Sequence, residues 1–136
     1  MRERLTETEA RYLLTMYEVY AECGCITPKQ IAERMNVKRP TAYEYILKFV
    51  EKGLLCKISK KYVLTEMGIK KARKILRKHR ILESMFYEAG VSLDKACECA
   101  HRIQTSVDDD IVEHIARYLG SPKKCPHGEP IPEVER

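Results

Sequence analysis

TPKQIAERMNVKRPTAYEYILKFVEKG, residues 27–53, decides the fold. A short amphipathic segment covers Pro28–Met35, with Ile31 and Met35 one helical turn apart. Asn36-Val37 breaks the pattern, and a longer helical run follows from Pro40 to Gly53. A proline in a first helical turn costs little, because its missing N–H would be unpaired there anyway. Two helices joined by so short a turn form a helix-turn-helix pattern. In the second helix Ala42, Ile46, Phe49 and Val50 recur at helical spacing and face inward. Thr41, Glu44 and Lys48 lie on the other face, beside the basic turn Lys38-Arg39. That layout suits a helix that reads a DNA groove.

Outward from this stretch, Thr6 with Glu9 predicts a capped first helix whose buried stripe is Leu13, Met16, Tyr17 and Tyr20, ended by Gly24. Thr27 is expected to cap the second helix. After Gly53 the period shortens. Leu55–Ile58 and Tyr62–Leu64 are β-prone runs around Ser59-Lys60-Lys61, which predicts a hairpin with a lysine tip, the wing of a winged helix. Cys56 is read as a small buried hydrophobe. Thr65 starts a long helix, roughly 66–89, with an apolar stripe at Ile69, Ala72, Ile75, Leu76, Leu82 and Phe86. Its face of Lys70, Lys71, Lys74, Arg77 and Lys78 is read as solvated. Two shorter helices follow, 93–105 and one from a Ser106 cap to Leu119 with Ile111, Val112, Ile115 and Leu119 inward. Residues 121–136 carry four prolines and one glycine and are expected to be irregular. The expected fold is mainly α: a winged-helix DNA-binding domain over 1–72, joined by the long helix to an all-helical metal-binding and dimerisation domain over 73–136.

Composition narrows the function. Of 136 residues 33% are charged, with 25 Lys+Arg against 20 Asp+Glu and a net charge of +5, which favours a polyanionic partner. The N-terminal MRERLTETEAR lacks the apolar run of a signal peptide, and no segment is apolar enough to span a membrane, so a cytoplasmic protein is expected. Neither a Gly-rich phosphate loop, nor a nucleophile elbow, nor HExxH is present, so no enzyme is expected.

Metal chemistry has a clearer pattern. His79 sits on the apolar stripe of the long helix, and Glu83 follows four residues on, cofacial with it. Cys97 and His101 repeat that spacing on the next helix. Two such pairs on adjacent antiparallel helices bring two imidazoles, a carboxylate and a thiolate to one point. This set suits Fe²⁺ or Zn²⁺, with Mn²⁺ or Co²⁺ as further candidates, far better than Mg²⁺ or Ca²⁺, which want all-oxygen shells. Cys125-Pro-His127 is a weaker second candidate.

The order of these elements resembles the diphtheria toxin repressor family of metal-dependent transcriptional regulators, which includes manganese regulators. The resemblance rests on IAERMNVKRPTAYEYILKFVEKGLL, on KHRILE and on CPHGEPIP. It implies a homodimer that binds palindromic double-stranded operator DNA when loaded with metal, in a short form without the SH3-like third domain. It places a family ancillary site on His79, Glu83 and Cys97. It places the family primary site on Arg11, His101, Gln104 and Thr105, of which Gln104 is at best a weak ligand. It puts DNA contacts on Lys38, Pro40, Thr41 and Glu44, to which Thr27, Arg39, Tyr43, Lys48 and the wing lysines Lys60 and Lys61 are added. A repressor of metal-homeostasis genes is expected. The alternatives are a winged-helix regulator sensing redox through Cys97/Cys99 or Cys23/Cys25, and a zinc hydrolase or metal-handling protein.

Overall fold

The structure, a computed structural model, describes residues 4–134. Among these residues six helices and one two-stranded sheet follow in the order α1 (Glu7–Cys23), α2 (Pro28–Met35), α3 (Arg39–Glu51), β1 (Leu55–Ile58), β2 (Lys61–Leu64), α4 (Glu66–Glu88), α5 (Leu93–Ile103) and α6 (Asp109–Tyr118). Residues 8–72 pack as one unit; residues 73–134 pack with 4–7 as another. The division falls within α4, after Ala72.

In the first unit, α1 buries Tyr12, Leu13, Met16 and Val19, while Tyr17 and Tyr20 are only half-buried. The α3 residues Ala42, Ile46 and Phe49 are fully buried, as their spacing predicts. Thr27 caps α2 in a full capping box: its hydroxyl accepts from Gln30 N–H at 3.3 Å, and Gln30 Oε1 accepts from Thr27 N–H at 2.9 Å. Asn36 ends the helix with φ 55, a left-handed conformation that asparagine tolerates. The chain then turns directly into α3.

The wing pairs in the register Leu55↔Leu64 to Ile58↔Lys61. Ile26 extends it, its N–H donating to Tyr62 C=O at 2.7 Å and its C=O accepting from Tyr62 N–H at 2.9 Å. Strand alternation overrules the expectation for Cys56: Leu55 points into the core, so Cys56 points out and is exposed. At the start of α4, Thr65 Oγ1 accepts from Gly68 N–H at 3.0 Å and donates to Gly53 C=O at 2.6 Å. Gly68 lies so close to the Leu54 carbonyl that an added Cβ would overlap it.

In the second unit, Ile81, Val112, Ala116, Cys125 and Ile131 form a core, with Val107 and Ile115 packed on it. The inward face of α6 is rotated from the expected one. Val112 and Ala116 are buried, whereas Ile111 is 47% exposed, and the N-cap is Asp108 rather than Ser106.

Arg77 and Lys78 do not form a solvated face. The Arg77 guanidinium grips Glu113 on α6 through two bonds of 2.9 and 2.7 Å and donates to Pro132 C=O at 2.9 Å. Lys78 donates to Val107 C=O at 2.6 Å and pairs with Asp109 at 2.8 Å. The Arg77 hydrogen bonds hold the Glu113 carboxyl below its ordinary value. A depressed folded-state pKa stabilises above the unfolded value, and that stability is lost as pH falls through the folded one. Glu113→Gln is therefore expected to cost about 1–2 kcal/mol at neutral pH and nearly nothing once pH has fallen below the depressed folded-state pKa of Glu113. Urea unfolding of both proteins at the two pH values checks this.

Candidate metal centre and nucleic-acid interface

The C-terminal segment positions the first part of the metal centre. Cys125-Pro126-His127-Gly128 is a β-turn closed by Gly128 N–H donating to Cys125 C=O at 2.8 Å, with Gly128 at φ 86. Proline in its second position presets the turn. Cys125 N–H to Glu129 C=O and Ile131 N–H to Lys123 C=O, both 2.8 Å, complete a short two-sided loop. Arg77 and Arg80 on α4 hold it through the Pro132 and Pro130 carbonyls. The expected irregular tail is thus an ordered loop that presents Cys125 and His127 to Glu83 on α4.

Two donor groups result. The ligand atoms of Glu83, Cys125 and His127 lie within 4.8 Å of one another, and so do those of His79, Cys97 and His101. Glu83 Oε2 is 3.1 Å from His127 Nδ1 and 3.8 Å from His79 Nε2, so it stands between the groups. The carboxylate is 1% exposed, and its Oε2 receives no hydrogen bond among the described residues. A buried carboxylate oxygen in that state is costly, and a cation beside it relieves the cost.

His79 Nε2 lies 3.6 Å from Cys97 Sγ, and its ring stands 4.1 Å from that of His101. Burial, then the neighbouring His101, push the His79 imidazole down to about 4 against the attraction of Glu83. His79 is therefore neutral at pH 7, the form that ligates metal. The donor set of thiolates, imidazoles and one carboxylate fits a transition metal and not Mg²⁺ or Ca²⁺. All four residues found by helical spacing lie here. The spacing does not reveal that Glu83 faces Cys125 and His127, which stand more than forty residues on. Gln104 is fully buried against both imidazoles.

In the first unit, Lys38, Arg39, Pro40, Tyr43 and Glu44 are exposed around the start of α3, with Thr41 half-buried. Lys38 is the N-cap of α3, but its side chain makes no cap bond. Tyr43 bonds the Tyr62 hydroxyl; burial first, and this bond second, raise the Tyr62 pKa. Lys48 lies 3.5 Å from the Glu9 carboxylate and 5.2 Å from the ring centroid of Tyr45, which stacks on Tyr12 at 3.9 Å. Thr27 spends its hydroxyl on the α2 cap. Lys60 and Lys61 are exposed on the wing. Leu47, 44% exposed, continues the stripe of Pro40, Tyr43 and Glu44 at helical spacing. Its period was legible in the sequence, but leucine reads as core.

Residues 4–64 match the N-terminal DNA-binding domain of iron-dependent repressors, and residues 65–133 match their metal-binding and dimerisation domain. The chain belongs to the iron-dependent repressor family. Within the family it is 28% identical to the iron-dependent repressor IdeR of Mycobacterium tuberculosis, over 94% of this chain and 56% of that protein. It is 27% identical to the diphtheria toxin repressor of Corynebacterium diphtheriae, over 96% of this chain and 59% of the relative. The chain thus spans little more than half the length of these curated relatives. Among solved structures it resembles the metal-dependent transcriptional regulator MtsR, with a TM-score of 0.84 and 30% identity over 95% of this chain and 61% of the other. The hypothetical protein SSo2273 of Sulfolobus solfataricus matches over its whole length and 95% of this chain, with a TM-score of 0.77 and 28% identity. ScaR, whose structure holds bound Zn²⁺, is 35% identical over 92% of this chain and 59% of its own, with a TM-score of 0.76. Among the described residues no helix is long and apolar enough to cross a membrane.

Proposed function

We propose that this chain is a homodimeric, cytoplasmic transcriptional repressor of metal-homeostasis genes that binds palindromic operator DNA when loaded with a divalent transition metal. It is not an enzyme. The observation that carries the reading is the buried Glu83 carboxylate flanked by imidazoles and thiolates, in the part of the chain that matches a metal-binding and dimerisation domain. His79, Cys97 and His101 hold metal on one side of Glu83, and Cys125 with His127 on the other. Zn²⁺ and Fe²⁺ are the favoured ions, because thiolate and imidazole donors suit them better than Mn²⁺. Among the relatives, ScaR takes up Zn²⁺ and Cd²⁺ but is a manganese-activated repressor, and SloR is a manganese regulator, so the choice rests on this chain's own donors. Family membership favours this reading over a redox-sensing regulator.

For DNA, Lys38, Arg39, Lys60 and Lys61 contact phosphates, with Lys48 and Thr27 at the margin. Pro40, Thr41, Tyr43 and Glu44 face base edges. Thr41 offers a hydroxyl and a methyl, and Glu44 accepts from a cytosine amino group. The bound ion favours one spacing of two reading heads over others, a coupling worth about 1–3 kcal/mol.

Selection of random duplexes by the metal-loaded chain tests the whole reading. A recovered palindrome whose binding is lost on chelation supports it, and binding indifferent to chelator sinks it. Lys38→Ala is expected to weaken selected and unselected duplexes alike and to reduce the salt slope of binding by about 1. Fluorescence anisotropy across a salt series checks this; a loss confined to the selected duplex would make Lys38 a base reader.

A further inference from the structure

Gln104 is the C-cap of α5, and its side chain is wholly buried. A primary amide buried there has an acceptor on one side and donors on the other, and both must find partners. Its Oε1 lies 3.0 Å from His79 Nδ1, and its Nε2 lies 3.5 Å from His101 Nδ1. A carbonyl oxygen only accepts, so with the amide in this orientation the shorter contact puts the proton of His79 on Nδ1. A neutral imidazole protonated there carries its free lone pair on Nε2. That nitrogen is the one 3.6 Å from Cys97 Sγ and 3.8 Å from Glu83 Oε2. The amide nitrogen only donates, so its longer contact marks His101 Nδ1 as the unprotonated nitrogen of that ring. The amide also brings no charge and faces the two rings rather than adding a carboxylate oxygen to them.

We infer that Gln104 is a positioning residue for the metal centre: its amide locks His79 in the tautomer that aims Nε2 at Cys97, and so sets the centre for ions that prefer imidazole and thiolate over oxygen. The inference rests on the proposed metal-binding role of His79, Cys97 and His101. Fixing a ligand's tautomer through its distal nitrogen is commonly worth 10–100-fold in metal affinity. The selectivity follows from chemistry. With a neutral amide behind the rings, this group offers nitrogen and sulfur donors, which suit Zn²⁺ and Co²⁺, whereas Mn²⁺ wants carboxylate oxygen.

Three measurements on the full chain test it. In metal-free protein at neutral pH, long-range proton–nitrogen NMR of the imidazoles is expected to find His79 protonated on Nδ1 and bare on Nε2. A His79 protonated on Nε2 overturns the inference without any variant. In a Co²⁺ titration followed by thiolate-to-metal absorption, Q104L is expected to bind about 10–100-fold more weakly than the native chain. Q104E, which keeps an acceptor facing His79, is expected to stay within a few-fold of native for Co²⁺. It is also expected to gain affinity for Mn²⁺ relative to Co²⁺, read by competition. Unchanged Co²⁺ affinity in Q104L overturns the positioning role, and an unchanged Mn²⁺-to-Co²⁺ ratio in Q104E overturns the selectivity. If Q104L fails to fold, the native tautomer and the Q104E ratio decide. A native chain without a Cys97-dependent band overturns the site reading itself, and the tautomer result separates that failure from an error about Gln104.

Discussion

Gly68→Ala is expected to lower the unfolding free energy by about 3 kcal/mol, close to the upper end of ordinary overpacking. Alanine is normally the better helix residue, by up to about 1 kcal/mol, so propensity alone predicts the opposite sign. Contact decides it. The new methyl would overlap the Leu54 carbonyl and press on its carbon and on Leu64, at 3.0 and 3.1 Å. Leu54 C=O cannot easily move, because it accepts from Thr65 N–H at 3.0 Å while Thr65 Oγ1 donates to the adjacent Gly53 C=O at 2.6 Å. The backbone at the base of the wing must shift, or the first turn of α4 must open. Thermal unfolding checks the magnitude; a stability gain would mean that this junction yields freely. Because Gly68 lies at the foot of the hairpin that carries Lys60 and Lys61, duplex binding is expected to weaken along with stability.

The second large effect has opposite signs with and without metal. Glu83→Gln removes the charge of a side chain that is 1% exposed and whose Oε2 accepts no hydrogen bond among the described residues. Under chelation the variant is expected to be at least as stable as the native chain, by about 1–2 kcal/mol, since burying the carboxylate costs more than its 3.1 Å contact with His127 returns. With Zn²⁺ or Co²⁺ present the order reverses. The native chain gains about 2.7 kcal/mol at a hundredfold excess of metal over its dissociation constant. The variant loses most of that gain, because Glu83 sits 3.1 Å from His127 and 3.8 Å from His79 and faces both donor groups. Chemical denaturation of both proteins in chelator and in excess metal shows whether the curves cross. A variant destabilised equally in both conditions would make Glu83 a structural residue rather than a ligand.

Much of the fold was legible because it is local. The cap at Thr27, the break at Asn36 and the inward spacing of Ala42, Ile46 and Phe49 follow from chemistry within a few residues. The hairpin also followed from a change of period, although its exposed Cys56 shows that an apolar run does not say which side faces in. Likewise α6 turned its face away from Ile111 because Ala116, a weak hydrophobic signal, packs inward beside Cys125 and Ile131.

The sequence by itself determined a winged helix followed by a helical domain, and the pairing of His79 with Glu83 and Cys97 with His101. Helical repeat distances carry that information without reference to the rest of the chain. The tertiary structure alone decided that Glu83 faces the Cys125–Gly128 turn, that Arg77 joins Glu113 to Pro132, and that Gln104 joins two imidazoles. Apart from Gln104 and His101, three positions apart on one helix end, these contacts join residues 25 to 55 positions apart. They depend on where loops without any periodicity return the chain, and no local spacing encodes that return.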